Sequence, residues 1–319
     1  VSPTGTLIRP RVAVGEAEVF SAIPYAAPPV GALRWEPPQD PAPWTEPIDG
    51  SAPGPVCPQL DALSGNPIQS ASEDCLTLNV WRPSDAADLP VMVWIHGGAF
   101  RLGSGHGGGM HAGERLTQED VVVVTVNYRL GPRGFLAHSD LTAEDGGYAS
   151  SGNYGIEDQR HALRWVEENI AAFGGDPDNV TIFGESAGSM CTCIHLASGP
   201  TAGLFDRVVM QSGPCDGIRL LADAEDQGTA FASALGCESN TLTCLRDQDV
   251  DALLTALPPD SSIIFDQNNW APNVDGLNLS EQPTASFAAG NFNAVPVLAG
   301  TVRDEGTLFV ALGGLQNMT

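Results

Sequence analysis

The sequence contains no lysine: its fourteen basic residues are all arginine, against 39 aspartates and glutamates. The formal net charge at pH 7 is therefore −25. A field of this sign repels nucleic acids, anionic lipids and polyanionic substrates, so the composition argues against all three as partners. The acidic surface needs no specific partner to explain it, because strong charge by itself favours solubility.

Long apolar runs are also missing. The longest, Val121–Val126, is far shorter than the roughly 20 residues of a membrane span, and is interpreted as a buried strand. No two cysteines have the Cys-x-x-Cys spacing of a zinc site, and we expect neither a metal nor a cofactor. His106 and His111 are weak candidates for metal ligands, because neither carboxylates nor cysteines lie near them.

The cysteine content and the first residue bear on the compartment. The sequence begins at Val1 without a methionine or an apolar leader, as a processed chain would. Seven cysteines are many for a reducing cytosol, so we expect a secreted, extracellular or periplasmic protein with disulfides. The cysteines are Cys57, Cys75, Cys191, Cys193, Cys215, Cys237 and Cys244.

Short apolar runs alternate with helix-length segments over most of the chain. The runs are 91–95, 121–126, 179–183, 207–211 and 295–299. The clearest helical pattern is Ile156–Phe173, where Leu163, Val166 and Ile170 recur at three- and four-residue spacings before Gly174 ends it. Strands that alternate with helices predict a mostly parallel sheet covered by helices on both faces.

The first 25 residues predict a different local structure. Val12 with Val14, and Ala17 with Val19, alternate as in short antiparallel strands. A proline-rich stretch, 24–55, then excludes helices and central strands. No linker divides the chain, so we expect a single α/β domain over residues 1–319 with a small N-terminal antiparallel region.

A candidate nucleophile lies at Gly184-Glu-Ser-Ala-Gly188, which follows the predicted strand 179–183 and precedes a helix-forming stretch, 189–197. Gly-x-Ser-x-Gly at a strand-to-helix turn projects the serine hydroxyl above the sheet, and the turn is so tight that its neighbours must be small. The helix N-terminus supplies N–H donors for developing negative charge. The pattern therefore predicts Ser186 as the nucleophile.

A candidate oxyanion hole precedes this turn. The predicted strand 90–96 ends in Gly97-Gly98-Ala99-Phe100, and a His-Gly-Gly loop upstream of Gly-x-Ser-x-Gly is typical of esterases and lipases. We expect the donors to be the N–H groups of Gly97, Gly98 and Ala187. His96 is interpreted as ordering this loop rather than as a catalytic base.

These motifs, with further segments in the same order, resemble the type-B carboxylesterase and cholinesterase family, which has the α/β-hydrolase fold. The resemblance covers nearly the whole chain. The further segments are Ile23-Pro-Tyr-Ala-Ala-Pro-Pro-Val-Gly31, Ser72-Glu-Asp-Cys-Leu-Thr-Leu-Asn-Val80, Asn127-Tyr-Arg-Leu-Gly131, Gly152-Asn-Tyr-Gly155, Asp158-Gln-Arg160, Trp165, Glu168-Asn-Ile-Ala-Ala-Phe-Gly-Gly-Asp176, Gln211-Ser-Gly213 and Asp304-Glu-Gly306.

The resemblance implies a Ser-Glu-His triad that forms an acyl-enzyme on Ser186. It favours Glu305 as the acid; from spacing alone, Asp304 is an equal candidate at the end of the last predicted strand. Glu185 and Ser212 would lie around the triad. The family also implies the ion pairs Arg34–Glu73 and Arg129–Asp158.

The resemblance further implies that a disulfide joins Cys57 to Cys75, and we expect a second one to join Cys237 to Cys244. For the remaining cysteines we expect Cys215 to pair with Cys191, since Cys215 follows the Gln-Ser-Gly segment beside the helix after Ser186.

The chain lacks a histidine after Glu305, although the order in this fold is serine, acid, histidine. The six histidines, at 96, 106, 111, 138, 161 and 195, all precede it. We therefore expect the catalytic histidine to lie beyond residue 319, in a C-terminal part that is absent from this chain or carried on a separate fragment. Residues 1–319 alone should be inactive, because Ser186 needs a base.

Other interpretations are weaker. Gly103-x-Gly-x-x-Gly108 matches a dinucleotide motif but neither follows a strand nor opens a helix. A non-catalytic, cholinesterase-like adhesion module would have lost the nucleophile, whereas Ser186, the two glycines of the oxyanion hole and Glu305 are all present here. Residues 58–74 contain no aromatic side chain to hold a choline group. The sequence thus predicts hydrolysis of short or medium acyl esters, with bulky esters or polyesters as the alternative substrates.

Overall fold

The computed structural model describes residues 8–12, 17–62, 64–107, 110–144, 149–257 and 269–307. Val14 and Gly108, which enter the predictions above, lie outside these ranges. The described strands are β1 Ile8–Val12, β2 Ala17–Pro24, β3 Ile48–Gly50, β4 Thr77–Pro83, β5 Leu89–Ile95, β6 Val122–Val126, β7 Gly175–Glu185, β8 Arg207–Gln211, β9 Arg219–Leu220, β10 Asn273–Val274 and β11 Val297–Gly300.

Helices separate most of these strands. The described α-helices are α1 Gly131–Phe135, α2 Ser139–Glu144, α3 Tyr154–Asn169, α4 Ala187–Ala197, α5 Leu221–Ala234, α6 Thr241–Arg246, α7 Val250–Thr255 and α8 Pro283–Ala289. Short 3-10 helices occupy Gly31–Leu33, Gly113–Glu119, Ile170–Phe173 and Gly199–Thr201.

One mixed sheet of nine strands organises the described part of the molecule, in the order β11-β8-β7-β5-β6-β4-β2-β1-β3. The five strands from β11 to β6 are parallel, whereas β4, β2 and β1 add antiparallel pairs at the other side. The predicted fold class, a largely parallel sheet with an N-terminal antiparallel region, is confirmed. Because the carboxyl ends of β5, β7, β8 and β11 meet at one edge, the residues that follow them converge there.

The core lies on one face of this sheet. Val91, Val93 and Ile95 alternate along β5 and are buried with the inward side chains of α3 and α4. The helix predicted over 156–173 is present as α3 and the 3-10 turn after it, and Gly174 (φ 80°) ends it in the left-handed conformation.

Within the described residues, the opposite face of the sheet is covered less fully than the first. A row of side chains in register across four parallel strands is only partly covered: Trp94, Phe183, Val209 and Leu298. Leu298, on the edge strand β11, is 68% exposed. The described segment over this face, Gly113–Glu119, contacts β2, β4 and β6 instead, which explains the difference.

Three disulfides are present among the described residues. Two join the expected partners, Cys57 with Cys75 and Cys237 with Cys244. The expected pairing of Cys191 with Cys215 is wrong, because Cys215 pairs with Cys193 and Cys191 is free. Two residues along an α-helix point to nearly opposite sides, so only one of these cysteines can face the segment after β8.

Cys191 points into the core, where the amide nitrogen of Gln159 donates to its sulfur at 3.3 Å. Burial raises the pKa of its thiol to about 12, so it remains protonated.

Both ion pairs implied by the resemblance are confirmed, with nitrogen–oxygen distances of 2.7 Å in Arg34–Glu73 and in Arg129–Asp158.

Candidate active site

Ser186 occupies a sharp turn between β7 and α4. Its backbone has φ 56° and ψ −122°, a strained conformation for a residue with a side chain, and its N–H donates to Gln211 O at 2.9 Å. A Cβ atom at Gly188 would clash with Ile95 O, and one at Gly184 would clash with the backbone of Gly188. Both glycines of the motif are thus required by close backbone approach.

The oxyanion loop, residues 96–103, passes directly beside this turn. A Cβ atom at Gly97 would lie 3.2 Å from Cβ of Ser186 and 2.7 Å from Glu185 O, so the loop touches the turn at these two residues. Within the described residues, no hydrogen bond uses the N–H of Gly97, Gly98 or Ala187. Ala187 is the first residue of α4, and the first N–H groups of a helix have no partner inside it. The N–H groups of all three residues are therefore free to bind an anionic oxygen.

Two carboxylates come together near Ser186. Burial raises the pKa of Glu185 and the negative charge of Glu305 raises it further, whereas His111 lowers it. Glu305 is half-buried and accepts the N–H of Val302 at 2.8 Å on Oε1. Asp304 is exposed, and its side chain makes no hydrogen bond or ion pair with another described residue. The surroundings favour Glu305 over Asp304 as an ordered acid.

The segment after β8 also packs against the turn. The N–H of Ser212 (φ 54°) donates to Gly300 O at 2.9 Å, which ties β8 to the end of β11. A Cβ atom at Gly213 would lie 2.5 Å from Ser186 O and 2.6 Å from Cβ of Ser189. Sequence reasoning assigned a role to Ser212 and none to Gly213, although both belong to the segment Gln211-Ser-Gly213 that resembles the family.

Two fully buried histidines bond groups other than Ser186. Nδ1 of His96 lies 2.8 Å from Gly97 O, and Nε2 of His195 lies 2.9 Å from Oε1 of Gln159. Burial lowers the pKa of His96 to about 4 and that of His195 to about 3, so both are neutral at pH 7.

The other histidines have partners elsewhere. His161 lies 3.3 Å from Asp40, Nδ1 of His138 accepts the N–H of Asp140, and Nδ1 of His111 lies 3.0 Å from Ser104 O. Burial lowers the pKa of His106. None of the six histidines makes a hydrogen bond to Ser186 in the described part of the chain.

A mostly apolar cavity of about 150 Å³ adjoins the oxyanion loop. It lies between the loop closed by the first disulfide, the start of α1, and α7. Six of its lining residues are Leu60, Leu102, Pro132, Leu254, Leu257 and Trp270. Its apolar wall suits a hydrocarbon group rather than an ion.

Two features are absent from the described residues. No helix there is both long and apolar enough to span a bilayer. Nor do three or more histidine, cysteine, aspartate or glutamate side chains come together there as a metal site.

A parallel sheet, a strained serine between strand and helix, and unused N–H groups beside it define an α/β hydrolase. Comparison with known proteins specifies this further. The sequence profile of the carboxylesterase family matches residues 4–318. The chain belongs to this family.

Individual relatives agree with this membership. The chain is 42% identical over 299 residues to a para-nitrobenzyl esterase of Bacillus subtilis, with 91% of this chain and 60% of the relative covered. It is 39% identical over 299 residues to a fumonisin B1 esterase of Sphingopyxis macrogoltabida, with 92% and 54% covered. An acetylcholinesterase of Bungarus fasciatus is 36% identical over 321 residues, with 94% and 51% covered.

Solved structures show the same fold. A PNB esterase superimposes with a TM-score of 0.85 at 42% identity, covering 95% of this chain and 64% of the other. A Geobacillus stearothermophilus carboxylesterase gives 0.86 at 37% identity, with 98% and 64% covered. The chain spans 51–60% of the length of the three curated relatives above.

Proposed function

We propose that the protein containing this chain is a serine carboxylesterase that hydrolyses short or medium acyl esters through an acyl-enzyme on Ser186. The observation that carries the proposal is the contact of Gly97 with Ser186 at a strained turn, beside three unused N–H groups. Such preorganised donors stabilise the oxyanion that forms when a hydroxyl attacks a carbonyl.

In the proposed reaction, Oγ of Ser186 attacks the ester carbonyl carbon and gives its proton to a histidine base. The N–H groups of Gly97, Gly98 and Ala187 bind the resulting oxyanion. The bond to the alcohol breaks, the base protonates the leaving alkoxide, and the acyl group remains on Ser186. Water repeats these steps and releases the acid.

The acid of the triad is assigned to Glu305, supported by its half-buried position near Glu185. Glu185 and Ser212 would support the triad from either side of it. The base is assigned to a histidine outside residues 1–319, supported by the positions of the six histidines described above. That base would come from a C-terminal part of the same protein.

Three features support an uncharged ester with modest apolar groups as the substrate. The cavity beside the oxyanion loop is small and apolar. The net charge of −25 disfavours anionic substrates. Two relatives carry the names para-nitrobenzyl esterase and fumonisin B1 esterase, which are names of ester hydrolases.

The three disulfides support an oxidising, extracytoplasmic location.

The test uses the full-length protein and p-nitrophenyl esters of increasing acyl length. Ser186→Ala should abolish turnover with an unchanged unfolding temperature, and a fluorophosphonate probe should label the wild type on the peptide containing Ser186. His111→Gln is the control and should retain activity, because His111 is tied to Ser104 O. Turnover near the wild-type rate in Ser186→Ala would contradict the proposal. So would a result in which His111→Gln loses turnover and Ser186→Ala keeps it.

A further inference from the structure

Two side chains hold the peptide groups that carry the proposed oxyanion donors. The hydroxyl of Tyr128 donates to His96 O at 2.7 Å, and Nδ1 of His96 lies 2.8 Å from Gly97 O. In a trans peptide the C=O and N–H point in opposite directions, so a fixed carbonyl fixes the next residue's N–H. The two bonds therefore set the directions of the N–H groups of Gly97 and Gly98.

The imidazole of His96 can make this bond only in a form that carries hydrogen on Nδ1. A carbonyl oxygen is an acceptor, so Nδ1 must carry the proton that bonds to Gly97 O. Nε2 is buried and has no hydrogen-bond partner in the described part of the chain. Burial lowers the pKa of this ring to about 4, which keeps it in the neutral form with hydrogen on Nδ1.

Tyr128 also orients that imidazole. The two rings are stacked, with centroids 4.3 Å apart and planes inclined by 20°. Both side chains are fully buried. Tyr128 thus fixes the first peptide group through its hydroxyl and the second through the ring of His96.

We propose that Tyr128 is a positioning residue of the oxyanion hole, acting on the N–H of Gly97 directly and on that of Gly98 through His96. This inference rests on the proposed function, since it names what aligns the donors of that reaction. Tyr128 is fully buried and its hydroxyl bonds the backbone of the oxyanion loop, so we expect it to contribute to the rate of the chemical step rather than to binding.

The far end of the oxyanion loop is held in a way that preserves this arrangement. A Cβ atom at Gly103 would clash with Nδ1 of His96, so the chain passes directly against the imidazole. The amide of Gln59 donates to Gly103 O and accepts from Gly103 N, both at 2.8 Å. Gln59 lies two residues after Cys57 of the first disulfide, which makes this end of the loop rigid.

The experiment compares Tyr128→Phe with Tyr25→Phe in the full-length enzyme. Tyr25 is an equally buried tyrosine whose hydroxyl donates to a backbone carbonyl, Asn127 O, also at 2.7 Å. Each variant loses one buried hydroxyl of the same kind. A lost oxyanion donor costs about 100- to 1,000-fold in kcat, so misaligned donors in Tyr128→Phe should cost about 10-fold or more, with little change in KM. Tyr25→Phe should keep its kcat.

Two further measurements separate alignment from a general loss of structure. A trifluoromethyl ketone inhibitor, which forms an oxyanion on the serine, should bind Tyr128→Phe more weakly by a factor similar to the loss in kcat. His96→Asn, which keeps an N–H donor near the position of Nδ1, should retain more kcat than His96→Leu.

Equal kcat values for Tyr128→Phe and Tyr25→Phe, in a wild type whose activity depends on Ser186, would overturn this inference alone. A parallel rise in KM with unchanged kcat would overturn it as well, because that result indicates a binding role. A wild type without esterase activity, or with activity that survives Ser186→Ala, would overturn the proposed function and this inference together.

Discussion

Breaking the ion pair Arg129–Asp158 is the most stringent test of the packing around the site. Nε and Nη2 of Arg129 donate to the two carboxylate oxygens of Asp158 at 2.9 and 2.7 Å. The side chains are 2% and 0% exposed. The guanidinium also donates to Glu36 O and lies 5.3 Å from the ring of Tyr154. Arg129→Met removes the charge and the donors while leaving the carboxylate of Asp158 buried.

The cost follows from this burial. Removing one partner of a buried ion pair leaves an uncompensated charge in a medium of low polarity, which destabilises a protein by about 3–5 kcal/mol. For a domain of this size, such a loss lowers the unfolding temperature by about 5 °C. The carboxylate cannot recover its solvation without opening the N-terminal part of α3.

Arg82→Met supplies a matched control. Arg82 also bonds a carboxylate, that of Glu18 at 2.7 Å, and also lies 5.3 Å from an aromatic ring, that of Phe20. Its pair is 22% and 24% exposed, so the structures of the two pairs differ chiefly in burial. Exposed pairs contribute about 0–1 kcal/mol, and the control should change the unfolding temperature little.

Calorimetry of the full-length protein would measure both variants. The double variant Arg129→Met/Asp158→Asn should recover part of the lost stability, because neither position then buries a charge and the asparagine oxygen can still accept the backbone N–H of residue 129. Equal effects of Arg129→Met and Arg82→Met would refute the reasoning, and so would a double variant less stable than Arg129→Met.

Two further predictions concern carboxyl groups. Glu305→Gln should lower kcat by about 100-fold or more with little change in KM, because the acid orients the base and stabilises its charged form. Asp304→Asn should change kcat little. Steady-state kinetics of the two variants would measure both effects, and the reverse order of effects on kcat would assign the role to Asp304. Burial raises the pKa of Glu157 to about 7 from the 4.5 of an exposed carboxyl. Its folded pKa is raised, so the stability it contributes is complete below pH 4.5 and is lost as the pH rises to about 7. Glu157→Gln keeps an acceptor for Asn278 and should become progressively more stable than the wild type over this interval, by up to about 3 kcal/mol. Denaturant titrations at several pH values would measure this difference, and a constant difference would contradict the pKa shift.

The central strands could be predicted from sequence because local pattern determines them. The apolar run 207–211 coincides with β8, and 91–95 lies within β5, since buried parallel strands are continuous apolar segments bounded by polar residues and glycine. β7 is longer than the predicted 179–183 at both ends. Its first residue, Gly175, pairs with Leu89, and no apolar pattern in the sequence predicts this contact.

The parts that sequence reasoning missed are contacts between distant segments. The pairing of Cys193 rather than Cys191 depends on the rotation of α4 about its axis, which the spacing alone does not reveal. The bond from Tyr128 to His96 joins residues 32 apart, and that from Gln59 to Gly103 joins residues 44 apart. Motifs identified the segments of Tyr128 and His96 but not that of Gln59, and the physical role of each side chain follows only from the carbonyl it reaches.

The segment Asn127–Arg129 shows why a short motif can be constrained at every position. It follows β6 at the carboxyl edge of the sheet, where its three polar side chains are buried among groups of neighbouring segments. Asn127 accepts the N–H of Gly105 and donates to Cys75 O, the hydroxyl of Tyr128 donates to His96 O, and Arg129 neutralises Asp158. Each side chain satisfies buried groups that would otherwise be unpaired, so a substitution at any of the three would leave a different part of the site unsupported.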